Sequence, residues 1–595
     1  MTVTSTNEIA LEGQTRRWRL APPTSKAGPG FRRGDGAAPL SDAGQAPSAD
    51  SGQALPPLIA HLLARRGFRS AAEAREFLDV APSLFEDPLT LPDVDRATER
   101  LRKARDGGET VAVYGDFDAD GVTGTALMVK ALRKAGLRVV SYIPHRVTEG
   151  HGLNIPAIES LRAKGVTLIV TVDCGVTDVP EIEHAKANGV DTIVTDHHLV
   201  AAHLPDAAAI INPHAPHSRY GFDHLTGVGM VLKLAQAILE PEHGDRWADG
   251  LMELAAIGTI TDLAPLLGEN RYIVHHGLKH LGRTSSVGLQ ALMRAARIDT
   301  AHVNAESIGF GIGPRINAAG RLDHADIALE LLTTEDRSRA EALVRELDGF
   351  NTQRQSLTEE TLAAARLQVP ATVPPLIAVG SPEFNPGVVG LVAGKLAEEF
   401  GTPTLCYAKD GGTIMASCRS SPGFHWANAL TACEDLLIRY GGHAQAAGFA
   451  CEERVLPSLV ERLQAIAAEQ LGGVPPVLDG IVEAEVSLAE LMGPTFQVLR
   501  KMEPFGMGNP APVFLTRGAE VRDCRPLGQS GSHFKMTLVS GGAVWEAVCF
   551  RQLWKNGTSH VDIVFTIDID HWNGNPRLRL TVKDYAPSMQ PRLSL

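Results

Sequence analysis

The sequence predicts an α/β fold with a parallel sheet, because short apolar runs alternate with segments of helical periodicity. The apolar runs are Val111–Tyr114, Arg138–Ile143, Leu168–Val172 and Thr192–Thr195. The helical segments between them are Gly124–Ala135, Ile155–Lys164 and Val179–Ala187. Strands and helices that alternate in this way form βαβ units, whose strands run parallel. The apolar runs are nearly continuous, which is typical of a sheet that helices cover on both faces.

The rest of the chain predicts four further segments. Residues 1–55 are rich in Gly, Ala, Pro and Ser and predict a disordered arm, in which the basic-aromatic cluster Arg16–Arg19 has the simplest interpretation of a solvated tail that docks one Trp. Residues 56–325 hold the α/β unit and an N-terminal helical region, and residues 326–370 predict a long connecting helix. Residues 371–475 predict a second α/β unit. Residues 476–595 carry strand-like runs between Gly, Asn and Ser turns, which predicts a small antiparallel β-barrel.

Composition excludes several classes of protein. Hydrophobic residues make up 44% and charged residues 21% of the 595, which excludes a wholly disordered or fibrous chain. The net charge of -13 argues against a polybasic nucleic-acid coat protein, although a binding groove depends on local charge. The seven cysteines form no CxxC pair, so a zinc ribbon or a thioredoxin-type site is not expected, and a reducing cytoplasm fits best. No apolar run approaches the ~20 residues of a membrane span.

Carboxylates and imidazoles follow three of the predicted strands. They are Asp116, Asp118 and Asp120 after the first strand, Asp173 after the third, and Asp196, His197 and His198 after the fourth. Because ligands bind outside the carboxyl ends of parallel strands, these side chains are expected in one crevice. Such carboxylates would repel one another unless a hard divalent cation bound them, and mixed Asp/His ligation suits Mn²⁺ or Mg²⁺. A helical run adds one more acid, Asp262, for the same site.

Each piece of this pattern also has a structural interpretation. A single Asp at a strand end is usually a helix cap or a turn residue, and Asp262 could be a cap before Pro265. The DxDxDG segment is similar to a calcium loop, but position 12 of such a loop, which should be Glu, is Leu127. The three strand ends together favour a pair of metal ions, which could bind both the attacking and the leaving oxygens of a phosphoester.

An ordered set of motifs resembles the DHH phosphoesterase superfamily and, within it, the RecJ family of bacterial single-strand-specific exonucleases. The motifs are Tyr114–Gly121 (YGDFDADG), Val172–Gly175 (VDCG), Asp196–His198 (DHH), Gly258–Leu266 (GTITDLAPL), Gly313–Leu322 (GPRINAAGRL), Gly441–Gly448 (GGHAQAAG) and Phe505–Phe514 (FGMGNPAPVF). The resemblance extends over residues ~60–590. It implies that residues 56–325 form a DHH catalytic domain, 371–475 a DHHA1 domain and 476–595 an OB-fold.

The resemblance also implies a set of metal ligands. The ligands of two divalent ions, Mn²⁺ or Mg²⁺, would be Asp116, Asp118, Asp120, Asp173, His197 and Asp262. Asp173, on a strand expected to be central, would bridge the ions and be catalytic. Asp196 would orient an imidazole. The second catalytic residue, His198, would face the scissile phosphate.

Substrate-binding residues are implied in the same way. Arg146 would bind the strand end, and His151 occupies a position where the family usually has Tyr, which leaves open how the terminal nucleotide is stacked. Arg315, Asn317 and Arg321 would contact backbone phosphates, or alternatively form an interdomain turn. Ser417 and Arg419 would lie near a terminal 5′-phosphate, where the planar guanidinium suits phosphate oxygens. Gly442 would allow close backbone approach to a phosphate and His443 would donate to it; the alternative is a Gly turn with a buried His.

The C-terminal segment has a local charge opposite to that of the whole chain. Residues 505–595 contain ten basic and seven acidic residues, a balance of +3. Four aromatic side chains there are candidate stacking platforms for unpaired bases, or alternatively part of the barrel core: Trp545, Phe550, Trp554 and Trp572.

The resemblance implies a single-stranded-DNA-specific 5′→3′ exonuclease that releases 5′-mononucleotides in DNA repair and recombination. Two alternatives stay open. One is a DHH hydrolase of small substrates such as pyrophosphate or dinucleotides, and the other is a DHH-like DNA-binding scaffold without activity. The resemblance further implies a single-strand-binding protein and a helicase as partners. We expect a cytoplasmic monomer with no membrane association.

Overall fold

The computed structural model describes residues 9–12, 17–20, 48–49, 53–216, 218–472, 479–527, 533–552, 554, 558–570 and 577–588. The chain divides into two units. The first comprises residues 1–316, 325–344 and 479–595, and the second comprises residues 317–324 and 345–478. The five predicted segments are finer than this division, and their boundaries stay predictions. None of the described helices is both long enough and apolar enough to span a membrane.

A five-stranded, wholly parallel sheet organises the first unit and confirms the predicted α/β fold. Its strands, in spatial order, are Arg138–Tyr142, Thr110–Gly115, Val166–Val172, Asp191–Thr195 and Ala209–Ile211. The helices Ala119–Lys134, Ile155–Ala163 and Val179–Ala187 alternate with the first four strands. The strand Val166–Val172 is the middle one, and all its residues except Thr167 are buried. Asp173, which follows it directly, therefore lies at the centre of the carboxyl edge.

Further helices complete this part of the first unit. Before the sheet come Pro57–Arg65, Ala71–Asp79 and Val94–Asp106. After it come Gly227–His243, Met252–Thr261, Gly268–Leu281 and Val287–Ala295, then a π-helix at Ser307–Ile312 that continues into the helix Gly313–Leu322. The predicted helical run that carries Asp262 ends at Thr261, and Asp262 is its C-cap.

The long helix predicted within residues 326–370 is present, and a short helix precedes it in the same range. They are Asp326–Thr333 and Arg337–Arg366. Thr334 is extended (φ -70°, ψ 146°), so the first helix stops there. The carboxylate of Asp336 then accepts hydrogen bonds from the amides of Ser338 (2.8 Å) and Arg339 (3.3 Å) and starts the second helix.

The second unit is built on a mixed five-stranded sheet. The strands, in spatial order, are Ile377–Ser381, Thr404–Asp410, Thr413–Arg419, Ala446–Glu452 and Arg439–Gly442. Only the first two run parallel, and the other neighbours are antiparallel. Its α-helices are Val389–Phe400, Trp426–Thr431 and Leu456–Gln470. The segment is therefore an α/β unit, as predicted, with more antiparallel pairing than its strand–helix pattern indicates.

A closed five-stranded barrel forms the C-terminal part of the first unit. Its strands are Phe514–Leu527, His533–Ser540, Ala543–Phe550, Arg577–Pro587 and His560–Asp570, and the last pairs back with the first. Two short strands, Asp479–Val482 and Ala484–Glu485, and the helix Pro494–Lys501 precede it. All neighbours in the barrel are antiparallel except Ala543–Phe550 and Arg577–Pro587, which pair in parallel. The predicted barrel is confirmed.

Part of the predicted disordered arm is ordered. Ile9–Glu12 and Arg17–Leu20 form an antiparallel pair, and Arg17–Leu20 also pairs in parallel with Asp479–Val482. The indole of Trp18 is 5% exposed and donates a hydrogen bond to Oδ2 of buried Asp584 (3.2 Å). For these strands, and for the short pair Ser48–Ala49 and Gln53–Ala54, the prediction of disorder is wrong. The rest of the arm lies outside the described residues.

A buried arginine joins the segment that leads into the barrel to the helices at the start of the first unit. The Arg271 guanidinium donates to the carbonyl oxygens of Phe77 (3.0 Å), Lys501 (2.8 Å), Met502 (3.0 Å) and Glu503 (2.8 Å). Burial lowers the pKa of Arg271 to about 9.

The segment Phe505–Phe514, the barrel junction, contacts the loop that follows Asp262. In that loop, the amide of Leu266 donates to the carbonyl of Met507 (2.8 Å). A Cβ atom on Gly508 would lie 2.9 Å from the Cβ atom of Pro265, so this close approach requires glycine. The barrel and the Asp262 loop are thus tied directly to each other.

Candidate metal centre and substrate-binding residues

The predicted metal ligands meet at the carboxyl edge of the parallel sheet. Asp116 follows the strand Thr110–Gly115, and Asp173 follows Val166–Val172. Asp173 has a φ of +62°, which costs a non-glycine residue free energy, and its amide donates to the carbonyl of Thr195 (3.0 Å) on the next strand. The strained backbone turns the carboxylate of Asp173 into the crevice beside those of the neighbouring strand.

Three overlapping groups of side chains have the spacing of metal ligands. In each group, the potential ligand atoms all lie within 4.8 Å of one another. The groups are Asp116, Asp118 and Asp173; Asp120, His197 and Asp262; and Asp173, His197 and His198. All six predicted ligands occur in them, and Asp173 and His197 each occur twice. The first two groups share no residue, so the crevice has donors for two ions.

Backbone amides hold two of the carboxylates. Asp118 is the N-cap of Ala119–Lys134, and its Oδ1 accepts from the amides of Asp120 (2.9 Å) and Gly121 (3.1 Å). Asp120 accepts from the amides of Gly227 (2.7 Å) and Val228 (3.0 Å), in the first turn of another helix. Helix N-termini favour negative charge, so these contacts stabilise both carboxylates in their ionised form.

Three glycines allow the carboxylates to come this close, and the sequence analysis missed them. A Cβ atom on Gly121 would lie 2.6 Å from Cβ of Asp116. One on Gly227 would lie 2.5 Å from Cβ of Asp173, and one on Gly258 would lie 2.5 Å from Oδ1 of Asp120. Glycine within a helix costs about 1 kcal/mol relative to alanine. All three lie in helices that border the site, and a glycine within or just before a helical segment of the sequence is the signal that could have revealed them.

The DHH segment positions its two imidazoles differently. His197 Nε2 lies 3.1 Å from Oδ1 of Asp173. His198 Nδ1 lies 2.7 Å from Oδ1 of Asp196, which also accepts from the His198 amide (3.1 Å). Burial alone would raise the pKa of Asp196, but the hydrogen bond and charge of His198 lower it below its ordinary value. Asp196 is therefore an anion that fixes the orientation of the His198 ring, as predicted for a residue outside the ligand set.

The crowded carboxylates have raised pKa values. Loss of solvation is the largest cause for Asp118, Asp120 and Asp173, and the negative charges of neighbouring carboxylates add to it. The same causes raise the pKa of Asp262 to about 7, with Asp118 as the charged neighbour. The contact of Nε2 of His197 with the buried Oδ1 atom of Asp173 (3.1 Å) lacks the geometry of a hydrogen bond, and no other described residue donates one to this oxygen. Oxygen-rich donors that repel one another and include an unsatisfied buried oxygen fit hard divalent cations.

Arg146 and His151 lie beside the same carboxylates. The guanidinium of Arg146 packs over the ring of Phe117, with Cζ 4.0 Å from its centroid, and burial lowers the pKa of Arg146. Nδ1 of His151 lies 3.0 Å from Oδ1 of Asp116. Burial would lower the pKa of His151, but Asp116 raises it to about 9. The structure thus places His151 against a predicted metal ligand, a contact that the sequence analysis did not foresee.

Arg315, Asn317 and Arg321 lie on the helix Gly313–Leu322, and each is half-buried. Arg315 Nη1 donates to the carbonyl of Gly311 (2.7 Å), which belongs to the preceding π-helix. Arg321 Nη1 donates to the carbonyl of Gly387 (3.2 Å). Both arginines therefore contact backbone oxygens of the protein, and their contact with phosphate stays a prediction.

In the second unit, Ser417 and Arg419 lie on one strand and face the start of a helix. A Cβ atom on Gly390 would be 3.4 Å from Oγ of Ser417 and 3.3 Å from Nη2 of Arg419. Gly390 is in the first turn of Val389–Phe400, where free amides and the helix dipole favour an anion. A cavity of about 310 Å³ is lined by Val389, Ser417, Gly441 and Gly448 among others. The predicted phosphate-binding residues Ser417 and Arg419 are thus together beside a cavity.

Gly442 and His443 form the turn next to this cavity. Gly442 has a φ of +129°, and a Cβ atom there would lie 2.5 Å from both the carbonyl oxygen of Ala446 and Cα of Ala447. Only glycine fits this position. The amide of His443 donates to the carbonyl of Ala446 (2.7 Å), and the residue is exposed. The buried His of the alternative interpretation is therefore wrong.

The candidate stacking residues of the barrel divide into core and surface. Trp545 is 4% exposed and donates to the carbonyl of Leu488 (3.1 Å), and Trp554 stacks on Tyr585. Phe550 is 49% exposed. Trp572 lies outside the described residues. Trp545 is thus a core residue and not a stacking platform, which leaves Phe550 as the candidate with an exposed ring.

Comparison with known proteins identifies the family. The family descriptions "DHH family, N-terminal domain", "DHHA1 domain" and "RecJ OB domain" match residues 110–259, 371–469 and 482–584. The "Single-stranded-DNA-specific exonuclease RecJ" of Salmonella typhimurium is 34% identical over 563 residues, 90% of this chain and 96% of that protein. The chain belongs to the RecJ family. The RecJ of Bacillus subtilis is 37% identical and is aligned over 90% of this chain and 68% of its own length.

A solved structure supports the same fold. The crystal structure of RecJ from Thermus thermophilus in complex with Mn²⁺ has a TM-score of 0.76 and 33% sequence identity, and the match covers 89% of this chain and 76% of that one. A second crystal structure of the same protein, with Mg²⁺, has a TM-score of 0.70. The resemblance from the sequence motifs is therefore confirmed, as is the arrangement of DHH, DHHA1 and OB domains.

Proposed function

We propose that this chain is a single-stranded-DNA-specific 5′→3′ exonuclease that releases 5′-mononucleotides. The observation that carries the proposal is the pair of ligand groups, Asp116, Asp118 and Asp173 beside Asp120, His197 and Asp262. The RecJ relatives, which are named single-stranded-DNA-specific exonucleases, support this substrate for a chain that matches them over most of its length. DNA repair and recombination are the processes that such an activity would serve.

Two divalent ions, Mn²⁺ or Mg²⁺, are the proposed cofactors. The six ligands fit them, because their carboxylates are crowded, have raised pKa values and leave Oδ1 of Asp173 without a hydrogen bond. Bound there, such ions polarise the phosphoester and make hydroxide available near neutral pH. The presence of Mn²⁺ and Mg²⁺ in the Thermus thermophilus structures supports both metals as candidates.

The protein's own groups then position the phosphoester. Asp173, which directly follows the central strand, belongs to one group of ligands and lies 3.1 Å from His197 of the other, and it is the proposed bridging carboxylate. Asp196 holds the ring of His198 by the 2.7 Å contact, so that its other nitrogen can face the scissile phosphate. Arg146, next to Asp116 and Asp118, supplies a buried positive charge for a phosphate oxygen.

The second unit is proposed to bind the terminal 5′-phosphate. Ser417 supplies a hydroxyl at the cavity, and Arg419 and the first turn of Val389–Phe400 supply a guanidinium and backbone amides next to it. The turn of Gly442 and His443 supplies close backbone approach and an imidazole. Arg315, Asn317 and Arg321 are proposed to contact phosphates further along the strand.

One assay set tests this function. The full chain is incubated with Mn²⁺ and 5′- or 3′-labelled single strands, a duplex and a short oligoribonucleotide. We expect mononucleotide release from the 5′ end of the single strand and none from the duplex. Hydrolysis of dinucleotides or pyrophosphate without digestion of long strands would instead support a small-substrate hydrolase.

The matched variants are Asp173→Ala and Asp191→Asn. Asp191 lies at the other end of a neighbouring strand, where it pairs with Arg100 (2.7 Å). Asp173→Ala should reduce activity by more than ~100-fold, beyond the cost of losing a group that only orients a ligand. Asp191→Asn should keep it. Binding without hydrolysis by the unaltered chain would support the inactive scaffold, and activity that survives Asp173→Ala would contradict the ligand set.

We also propose a single-strand-binding protein and a helicase as partners, a monomeric state and a cytoplasmic location. These proposals rest on the family relationship.

A further inference from the structure

Phe310 has an unusually exposed aromatic ring close to the metal centre. Its exposure is 81%, and no other Phe, Tyr or Trp in the described part of the chain exceeds the 49% of Phe550. Exposing a ring of this size to water is unfavourable by about 25 cal/mol per Å² of apolar surface. Packing within the described residues of the first unit therefore leaves most of this ring uncovered.

The local backbone presents the ring outward. Phe310 is in the π-helix Ser307–Ile312, and the side chains of Ile308 and Ile312 are fully buried on the opposite side. Gly309 and Gly311 flank Phe310, so no neighbouring side chain covers it in sequence. Single π-helical turns interrupt the regular hydrogen-bond ladder at a cost and occur often at functional sites.

The π-helix packs on the helix that ends at Asp262. A Cβ atom on Gly309 would lie 4.0 Å from Cγ2 of Ile260, and one on Gly313 would overlap Cγ2 of Thr261. Ile260 and Thr261 are the two residues before Asp262. Phe310 is therefore bracketed by contacts to the segment that directly precedes a proposed metal ligand.

A basic residue lies in the segment that packs beside the π-helix. A Cβ atom on Gly311 would lie 3.0 Å from Ile298 and 3.5 Å from Ala296, the two neighbours of Arg297. Arg297 is exposed and has a φ of +55°. Proteins bind single strands with exposed aromatic rings that stack on bases and with basic side chains that contact phosphates, and this part of the chain carries both kinds of residue.

We propose that Phe310 stacks on an unpaired base of the substrate strand next to the metal centre. This inference rests on the proposed exonuclease function and adds a residue that positions the strand. Stacking needs a base with a free face, so it favours a single strand over a duplex, whose bases already stack on one another. It is independent of sequence, because every base has a π-face.

The test is a binding experiment with the full chain in EDTA, where hydrolysis cannot interfere. The ligands are 5′-phosphorylated single strands that carry one abasic site, moved stepwise from the 5′ end. Phe310→Leu removes the aromatic ring but keeps an apolar side chain, and Phe310→Trp keeps a stacking ring. Thermal unfolding checks that both variants are folded, as expected for substitutions of an exposed residue.

Phe310→Leu should weaken binding of the intact strand by about 5- to 150-fold, the range for one stacked base. Phe310→Trp should bind as the unaltered chain does. At one abasic position, the unaltered chain should fall to the affinity of Phe310→Leu, while the variant is insensitive to that position.

Three results would overturn the stacking role: affinity within about twofold for Phe310→Leu, an equal loss for Phe310→Trp, or a loss that no abasic position abolishes. If the unaltered chain still digests single strands with Mn²⁺, these results rule out the stacking role of Phe310 and leave the proposed function intact. If it neither binds nor digests them, the proposed function fails as well. Should Phe310→Leu not fold, the abasic scan of the unaltered chain and Phe310→Trp decides: indifference to every abasic position overturns the proposal.

Discussion

The metal centre and the C-terminal barrel treat charge in opposite ways. At the metal centre, the carboxylates of Asp116, Asp118 and Asp173 lie close to one another. No cation of the described residues offsets their charges enough to keep the pKa values of Asp118 and Asp173 from rising. In the barrel, charged side chains pair with their neighbours. Examples are Arg525 with Asp523 (2.7 Å), Lys535 with Glu546 (2.9 Å) and Arg579 with Asp568 (3.0 Å).

This difference shows which charges are available for chemistry. Exposed pairs in the barrel neutralise each other and contribute little to stability, so pairing leaves the local balance of residues 505–595 at +3 and most of their charges already partnered. The carboxylates of the metal centre are held together although they repel one another, and a bound cation or protonation would relieve this repulsion. The net charge of the chain does not reveal this difference between the metal centre and the barrel. Four predictions test the difference.

The largest expected effect concerns the aromatic core of the barrel. Trp545→Ala should lower the free energy of unfolding by about 3–5 kcal/mol, because it leaves a cavity in the core. Phe550→Ala should lower it by less than about 1 kcal/mol, since Phe550 is 49% exposed. Denaturant titration measures both values. Equal effects of the two substitutions would contradict the division into core and surface.

The second prediction separates charge from structure at the metal centre. Asp118→Asn keeps an oxygen for the helix cap, because Asn is as good an N-cap as Asp, but it removes a charge from the crowded group. We expect the metal-free protein to unfold at the same temperature or higher, while nuclease activity falls by more than ~100-fold. Isothermal titration with Mn²⁺ should show weaker binding.

Asp562→Asn is the matched control in the barrel. Its carboxylate accepts from the amide of Gly518 (2.8 Å) and contacts Arg517 (3.4 Å). There we expect a stability loss of about 1 kcal/mol and unchanged Mn²⁺ affinity. A metal-free Asp118→Asn protein that unfolds well below the unaltered chain would show that the carboxylate stabilises the fold, contrary to our interpretation.

The third prediction concerns pH. In the metal-free fold, Asp118, Asp120, Asp173 and Asp262 have pKa values above those of the unfolded chain, near ~4. The folded state therefore binds these protons more tightly, and the stability they contribute is lost as pH rises from about 4 through the folded values, about 7 for Asp262. Mn²⁺ should then raise the unfolding temperature by several degrees more at about pH 8 than at about pH 5.5.

Differential scanning calorimetry in EDTA and in Mn²⁺ measures this difference. Asp118→Asn should reduce it, whereas Asp562→Asn should not. A metal-induced increase that is the same at both pH values would mean that the ions do not replace protons on these carboxylates.

The smallest expected effect is that of an exposed barrel pair. Arg525, whose side chain is 78% exposed, pairs with Asp523. Arg525→Ala should change the free energy of unfolding by no more than about 0.5 kcal/mol and single-strand affinity by less than about twofold. Fluorescence anisotropy at two salt concentrations measures the affinity. A larger loss with a shallower salt dependence would place Arg525 in a phosphate contact and weaken the contrast between the two regions.

The sequence was informative where local pattern and topology agree. Parallel strands must end at one edge, so the meeting of Asp116 and Asp173 followed from the strand pattern. The central position of the Asp173 strand was expected only together with the family resemblance. The contact of His151 with Asp116 could not be predicted, because it depends on how a loop folds back onto the sheet.

Two other features depend on partners that are distant in the sequence. Arg17–Leu20 forms a strand because it pairs with Asp479–Val482, at the far end of the chain. Trp545 and Phe550 are both aromatic residues of one barrel strand, so residue type does not separate them. The alternation of side chains along the strand places Trp545 in the core and Phe550 at the surface. Local propensity contains neither the pairing nor the closure of the barrel.

The tie between the barrel junction and the Asp262 loop limits how the chain can be re-engineered. The amide of Leu266 donates to Met507, and Arg271 donates to the carbonyls of Lys501, Met502 and Glu503 and also to that of Phe77. These hydrogen bonds join the segment that leads into the barrel to the helices around the metal centre. The barrel is therefore not an interchangeable cassette. A chimaera that imports a foreign barrel needs the junction Phe505–Phe514 and its receiving surface as one inseparable piece, or it will disturb a metal ligand far from the splice.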